Sequence, residues 1–199
     1  GRLKPSDTFT ASEYAWRTGG APSGGSAMFV PLNDSVTLEE LLQGIAVQSG
    51  NDACIIIAEG MAGSEAAFSE IMTDHARSIG LKKSTFRNST GLNHPDHMMT
   101  ARELAKLALH LITTYPEYYH YFSQKEFEYR KHKFYNRNPL VYDGIGVDGL
   151  KTGYIKESGY GLTASAEQRG HRLIVVVNGL DSKNDRGQEA KKLLQWGFR

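Results

Sequence analysis

Apolar positions recur at helical spacing through the middle of this chain and gather into strand-like runs toward its end. The stretch to about Val36 has neither period. It is rich in Gly, Ser, Thr and Pro around Gly19-Gly20-Ala21-Pro22-Ser23-Gly24-Gly25-Ser26, which predicts loops and short extended pieces. From Thr37 the pattern turns helical. Thr37 is an N-cap with Glu39 and Glu40 in the first turn, and Leu38, Leu41, Leu42 and Ile45 share one face of a helix running into Ser49-Gly50-Asn51. Ala53-Cys54-Ile55-Ile56-Ile57-Ala58 then predicts a second helix, apolar on nearly all sides and therefore central.

Ser64 caps a third helix whose inward positions are Ala67, Phe68, Ile71, Met72 and Ala76, and Gly80 stops it. Thr100 caps a fourth, with Glu103 placed for a capping box and Leu104, Leu107, Ala108 and Leu111 as the buried stripe. A short aromatic segment follows from Tyr115-Pro116 to Phe122. Phe127, Tyr129, Phe134 and Tyr135, interleaved with basic residues, read as strand or extended loop. Gly161 to Ala166 and Arg172 to Asn178 predict adjacent strands turning at Gln168-Arg169-Gly170-His171. A terminal helix is expected over Glu189 to Trp196, with Ala190, Leu193, Leu194 and Phe198 inward. Helices in the middle and strands toward the end give an α+β fold, helices packed on an antiparallel sheet.

Composition narrows the picture only modestly. The 199 residues are 40% hydrophobic and 23% charged, enough core for one globular domain or two closely packed lobes. A formal charge of +1, from 23 basic and 22 acidic residues, gives a nucleic-acid partner no electrostatic support. Cys54 is the only cysteine, which excludes an intrachain disulfide and a multi-cysteine metal site. No apolar run reaches the roughly 18 residues of a membrane span, and Gly1-Arg2-Leu3-Lys4-Pro5-Ser6-Asp7 does not resemble a signal peptide. An export signal or membrane anchor is therefore expected outside this segment.

Two short motifs carry the candidate chemistry. Lys151-Thr152-Gly153 follows Val147-Asp148-Gly149-Leu150, a run that fits an edge strand bordering a cleft. There the lysine supplies fixed positive charge, the threonine hydroxyl can bind a carboxylate, and Gly153 leaves the strand edge clear for a substrate backbone. Ser49-Gly50-Asn51 lies between two helices. Taken singly, the first motif also fits an exposed turn and the second an ordinary pair of helix caps. Together they stand 102 positions apart (151 minus 49) in an order that suits acyl transfer: a proton-relaying hydroxyl, an amide to hold the substrate, and a cation facing its carboxylate. That chemistry also needs a Ser-x-x-Lys nucleophile, and no serine here has a lysine three positions later.

The two motifs, with Arg17-Thr18-Gly19-Gly20-Ala21-Pro22-Ser23-Gly24-Gly25-Ser26, Val47 to Cys54, Asn136-Arg137-Asn138, Val147 to Gly153 and Leu194 to Arg199, resemble the low-molecular-mass penicillin-binding proteins. These are serine-type D-alanyl-D-alanine carboxypeptidases, and the resemblance covers essentially the whole chain. It implies a β-lactamase/transpeptidase-like fold whose N-terminal strands and nucleophile helix are missing, residues 1–199 being one N-terminally incomplete penicillin-binding domain. It implies trimming of the terminal D-Ala from peptidoglycan stem pentapeptides through an acyl-enzyme, inhibition by β-lactams, and a periplasmic or extracytoplasmic location. No cofactor and no metal is implied. Ser49 becomes the proton relay, Asn51 the amide on the peptide carbonyl, and Lys151 and Thr152 ligands of the terminal carboxylate. Gly153 leaves the edge open, and the Tyr154 N–H supplies half of an oxyanion hole. Arg186, taken to lie just before the terminal helix, also meets the carboxylate, with Arg137 a second candidate. The partners implied are a D-Ala-D-Ala stem peptide and β-lactams, with no nucleic acid and a membrane only through an outside anchor. The alternative is a non-catalytic module that only grips wall peptides.

Other motifs have blander readings. Gly144-Ile145-Gly146-Val147-Asp148-Gly149 matches G-x-G-x-x-G, but no helix follows to hold phosphate, and Leu150 separates Gly149 from Lys151. His94 and His97 sit in a turn with no third metal ligand nearby. The basic aromatic stretch from Lys125 to Arg137 could bind an acidic polymer, but Glu126 and Glu128 interleave it as on a solvated strand face. Cys54 reads as a small buried hydrophobe on an apolar helix.

Overall fold

Two apolar clusters organise the chain in the computed structural model, which describes residues 3–199; Gly1 and Arg2 of the opening segment lie outside the described residues. The first cluster is helical. It gathers Phe9, Ala15, Met28, Val30, Leu41, Val47 and Ile55 to Ile57 with Phe127, Tyr129 and Phe134. The second joins Leu140, Leu162, Ala164, Ala166, Ala190 and Leu194. Their boundary is where the candidate site lies.

In the helical part, β1 (Thr8–Thr10) pairs antiparallel with β2 (Ser35–Thr37). Between them stands α1 (Glu13–Thr18), where loops were expected. With only Ala15 fully buried, α1 is too short to show a period; the Ser12 cap and packing on the long helix below hold it. Thr37 then caps α2 (Leu38–Gln43) in a complete capping box with Glu40. The helix widens into a π segment, Gly44–Gln48, ending at Ser49 in the left-handed conformation (φ 63°, ψ 42°). Directly behind it α3 (Asn51–Ala62) runs through the core, with Ile55 and Ile56 almost wholly buried as the sequence predicts.

Ser64 caps α4 (Glu65–Ser78) and Thr100 caps α5 (Ala101–Thr114), both as expected. Two details differ. Ile71 is 53% exposed, because α4 uses only a narrow inward face. The Glu103 carboxylate does not complete a capping box; it accepts from the Lys83 N–H at 2.9 Å and the Ser84 hydroxyl at 2.6 Å, tying α5 to the preceding loop. After α6 (Pro116–Tyr119) comes a hairpin, β3 (Glu126–Tyr129) with β4 (His132–Tyr135). It turns Phe127, Tyr129 and Phe134 inward and pairs Lys133 with Glu126 outside, which makes the basic aromatic stretch a core hairpin with a solvated face.

The main sheet is antiparallel, ordered β5 (Val147–Ile155), β6 (Gly159–Gln168), β7 (His171–Leu180). β6 and β7 join at Arg169-Gly170, both with positive φ (51° and 77°), as a tight hairpin turn demands. Lys151 lies on the edge strand β5. The glycines of the G-x-G-x-x-G match lead into this strand and not into a helix. The terminal helix α7 (Lys183–Gly197) starts six residues before the expected Glu189, because Ser182 is the true cap, its hydroxyl accepting the Asp185 N–H at 3.1 Å. The polar run Lys183 to Gln188 carries no apolar period, which hid this first stretch. Ala190 and Leu194 pack inward as expected, whereas Leu193 is 43% exposed.

Gly19 shows how tightly the site's foundations are packed. A Cβ there would stand 2.5 Å from the backbone nitrogen of Asp52, at the start of α3. Gly19→Ala should therefore cost about 1–3 kcal/mol in urea unfolding, the usual price of overpacking against backbone that cannot yield. An unchanged unfolding midpoint would show that α1 and α3 can separate freely.

Candidate active site

Three pieces of backbone set the geometry. The π segment and the left-handed Ser49 swing the chain out of α2 and reverse it into α3, leaving the serine side chain at the turn. A non-glycine residue in this conformation is strained by about 1–2 kcal/mol, so its surroundings must over-determine it. Asp52 does much of that. Fully buried, its carboxylate accepts from the N–H groups of Met28 at 2.8 Å, Val30 at 3.1 Å and Ala53 at 3.0 Å. The Asn51 N–H donates to the Ser26 carbonyl at 2.9 Å, so the glycine-rich loop is stitched to the start of α3.

Opposite this turn runs the free edge of β5. The Lys151 ammonium donates to Ser49 Oγ at 2.6 Å and to the Thr152 carbonyl at 3.1 Å, bridging the helical wall and the sheet. Around the pair opens a cleft of about 830 Å³. All eight residues singled out in the sequence line it: Ser49, Asn51, Arg137, Lys151, Thr152, Gly153, Tyr154 and Arg186. A Cβ on Gly153 would meet nothing within 4 Å, so this position leaves the strand edge open without being required by the fold.

Arg186 reaches the cleft differently from what was expected. It lies within the first turns of α7 and is 6% exposed. Its guanidinium donates to the Gly153 carbonyl at 3.0 Å and sits 5.5 Å from the Tyr160 ring centre, while its Nε is buried without a partner. Tyr160 in turn stacks on Tyr154 at 4.2 Å. Among the described residues no carboxylate forms an ion pair with Lys151, Arg137 or Arg186. Three cations thus face one cleft, and no carboxylate among the described residues pairs with them.

Sequence reasoning missed some of the lining. Tyr160 arrives on β6 opposite Tyr154 by strand register alone. Ser89 to Leu92 form the far wall because Glu65, at the start of α4, accepts from the Ser89 N–H at 2.9 Å and hydroxyl at 2.7 Å. No local motif marks either. Cys54 also departs from expectation: it is partly buried and lines the cleft. Burial pushes its thiol up to about 12, against the pull of the Lys151 charge, so it stays protonated at neutral pH.

Burial lowers Lys151 to about 8, with the charges of Arg137 and Arg186 acting in the same direction. Below pH 8 both the folded and the unfolded chain hold this proton, and the fold bears the full desolvation cost of the ammonium. Between 8 and 10.5 the folded state releases the proton while the unfolded state keeps it, so stability rises with pH. Compared with Lys151→Met, the wild type should gain roughly 3 kcal/mol of relative stability across that window. Urea unfolding of both proteins at pH 7 and pH 10 measures it, and parallel pH curves would mean that Lys151 is not desolvated.

Comparisons with known proteins place the chain in a family. The peptidase S11 D-alanyl-D-alanine carboxypeptidase family matches residues 1–182. The D-alanyl-D-alanine carboxypeptidase DacC of Escherichia coli is 42% identical over 200 residues, which is 100% of this chain and 50% of that protein. Penicillin-binding protein 5 from Haemophilus influenzae superposes with a TM-score of 0.95 at 40% identity, covering 100% of this chain and 58% of that one. Penicillin-binding protein 6B from Escherichia coli gives 0.92 at 39% identity, covering 100% and 63%. The chain spans about half the length of the curated relatives it matches. By pattern, identity and fold, it belongs to the peptidase S11 family of D-alanyl-D-alanine carboxypeptidases.

Proposed function

We propose that these residues form the substrate-gripping and proton-handling part of a serine-type carboxypeptidase that removes the terminal D-Ala from peptidoglycan stem pentapeptides and is acylated by β-lactams. The observation that carries this reading is the 2.6 Å contact between Ser49 Oγ and Lys151 Nζ in a cleft lined by two further unpaired cations. With Lys151 lowered to about 8, its ammonium gives up a proton readily near neutral pH. The Ser49 hydroxyl can then pass a proton to the departing D-Ala nitrogen as the peptide C–N bond breaks.

The peptide terminus supplies the carboxylate that the cleft lacks. Arg186 and Lys151, with the Thr152 hydroxyl, hold that carboxylate, and Arg137 adds charge at the cleft wall. Asn51 donates its amide to the peptide carbonyl. Gly153, with open space at its α-carbon, lets the substrate backbone lie along β5. The Tyr154 N–H forms one half of the oxyanion hole.

The nucleophile in this reading is a serine of a Ser-x-x-Lys motif from outside the 199 residues, since none occurs within them. Its hydroxyl gives its proton to the lysine of that motif as the oxygen bonds to the peptide carbonyl carbon, the C–N bond breaks and D-Ala leaves protonated, and water later hydrolyses the acyl-enzyme and restores the serine. Export to the extracytoplasmic side follows from the substrate, which lies in the cell wall. No helix among the described residues is long and apolar enough to cross a membrane.

Two measurements test the reading. Incubated with benzylpenicillin, the 199-residue chain should keep its mass, while the protein expressed from its complete coding sequence should gain one penicilloyl group on a serine outside this segment. An adduct on Ser49 would overturn its role as a relay. A complete protein with no Ser-x-x-Lys and no adduct would leave a module that only grips wall peptides. In the active protein, Lys151→Ala should lower kcat/KM on a D-Ala-D-Ala peptide by about 10²-fold or more. Arg186→Ala should act mainly on KM, by roughly tenfold, through loss of a charge-assisted contact. Lys125→Ala, at an exposed position just before β3, should leave turnover unchanged. Equal losses at all three positions would place the substrate elsewhere.

A further inference from the structure

The segment joining the β3–β4 hairpin to β5 touches both walls of the cleft. Arg137 is exposed to the cleft, but its neighbours are not: Asn136 is 6% exposed and Asn138 1%. The Asn136 amide donates to the carbonyls of Phe122 at 3.0 Å and Gln124 at 2.8 Å, and its Oδ1 accepts the Asn138 N–H at 2.9 Å. Arg137 donates its backbone N–H to the Val47 carbonyl at 3.3 Å, two residues before Ser49. Asn138 donates its side-chain amide to the Gly149 carbonyl at 3.0 Å, two residues before Lys151. Its Oδ1 meanwhile accepts the Leu140 N–H at 3.1 Å, capping the turn Pro139–Tyr142.

One short segment is therefore bonded on one side to the turn that presents Ser49 and on the other to the strand that presents Lys151. A buried amide has few alternative partners, and losing one leaves a polar group stranded away from water. Each wall is thus tied to the other by bonds that cannot lengthen separately. An apolar residue would fill the same space without this constraint. Arg137 is held at the cleft by the same two flanking amides.

We infer that Asn138, braced by Asn136, is a positioning residue that sets the separation of Ser49 and Lys151 by strapping β5 to the π segment. Its catalytic consequence rests on the reading of that pair as the proton-handling groups. The positional claim does not.

Asn138→Ser tests it. The serine hydroxyl can still cap Leu140 but is too short to reach the Gly149 carbonyl, and it adds no charge. With β5 loosened, Lys151 becomes better hydrated, and its titration, followed by NMR of the labelled lysine side chain, should move upward by about one pH unit. Leu81→Ala, which opens a cavity beyond the end of α4 and outside both apolar clusters, should lower the urea midpoint but leave Lys151 titrating at its wild-type pH. In the active protein, Asn138→Ser should reduce kcat about tenfold or more, as a displaced catalytic pair does. If Asn138→Ser does not fold, Asn136→Ala, which removes the brace while leaving the Gly149 bond, should shift the titration in the same direction. Lost stability with Lys151 titrating as in the wild type would overturn the inference, as would a loss of kcat without that shift. If the complete protein shows no carboxypeptidase activity, the functional reading falls, and the titration still decides whether Asn138 positions Lys151.

Discussion

The structure depends on keeping an ammonium group in the seam between a helical lobe and the edge of a sheet. Lys151 belongs to the sheet and Ser49 to the helices, and their 2.6 Å contact holds only if both backbones are fixed independently. A lysine left free would turn its charge to water, since desolvation alone depresses its affinity for the proton. The surrounding fold is arranged to deny it that option.

On the helical side, the restraint is built from strain and buried polar groups. The π segment and the left-handed Ser49 are costly conformations, and the Asp52 carboxylate offsets the cost by gathering N–H groups from the loop at Met28 and Val30. Burial raises the Asp52 carboxyl above its ordinary range, and those N–H donors offset only part of the rise. On the sheet side, β5 is an edge strand with one neighbour, so side chains supplement its ladder. Asn138 grips the Gly149 carbonyl; Asp148, the residue before Gly149, accepts from Tyr119 at 2.9 Å and pairs with Arg172 at 2.8 Å. Such networks are strongest when their buried groups find partners.

Electrostatics follows from the same arrangement. Lys151, Arg137 and Arg186 repel one another, and each is lowered by desolvation. Gathering these cations at one cleft costs stability, and the proposed function gives that cost a purpose: a site able to attract a carboxylate. Arg186 shows how the cost is limited. Its charge is spread over the Gly153 carbonyl and the face of Tyr160, which accept it without neutralising it.

Long amphipathic helices, their caps at Thr37, Ser64 and Thr100, and the β6–β7 hairpin could be read from sequence, because each rests on interactions within a few residues. So could the pairing of Ser49-Gly50-Asn51 with Lys151-Thr152-Gly153, since motif order and resemblance carry over where local physics is ambiguous. Helix α1 and the first turns of α7 escaped because their apolar content is too small to show a period; packing on α3 and the Ser182 cap decide them. Glu103 was placed correctly on its helix but spends its carboxylate on Lys83 and Ser84, a partner choice that exists only once the loop is folded back. The far wall at Ser89 to Leu92, the exposure of Cys54 to the cleft and the bridging bonds of Asn136 and Asn138 belong to the same class. They join segments distant in sequence, and spacing along a chain carries no information about which buried donor will meet which carbonyl. The sequence by itself determined which groups are candidates for the chemistry, and only tertiary structure decided that they face one another, because desolvation and hydrogen bonding act on neighbours in space.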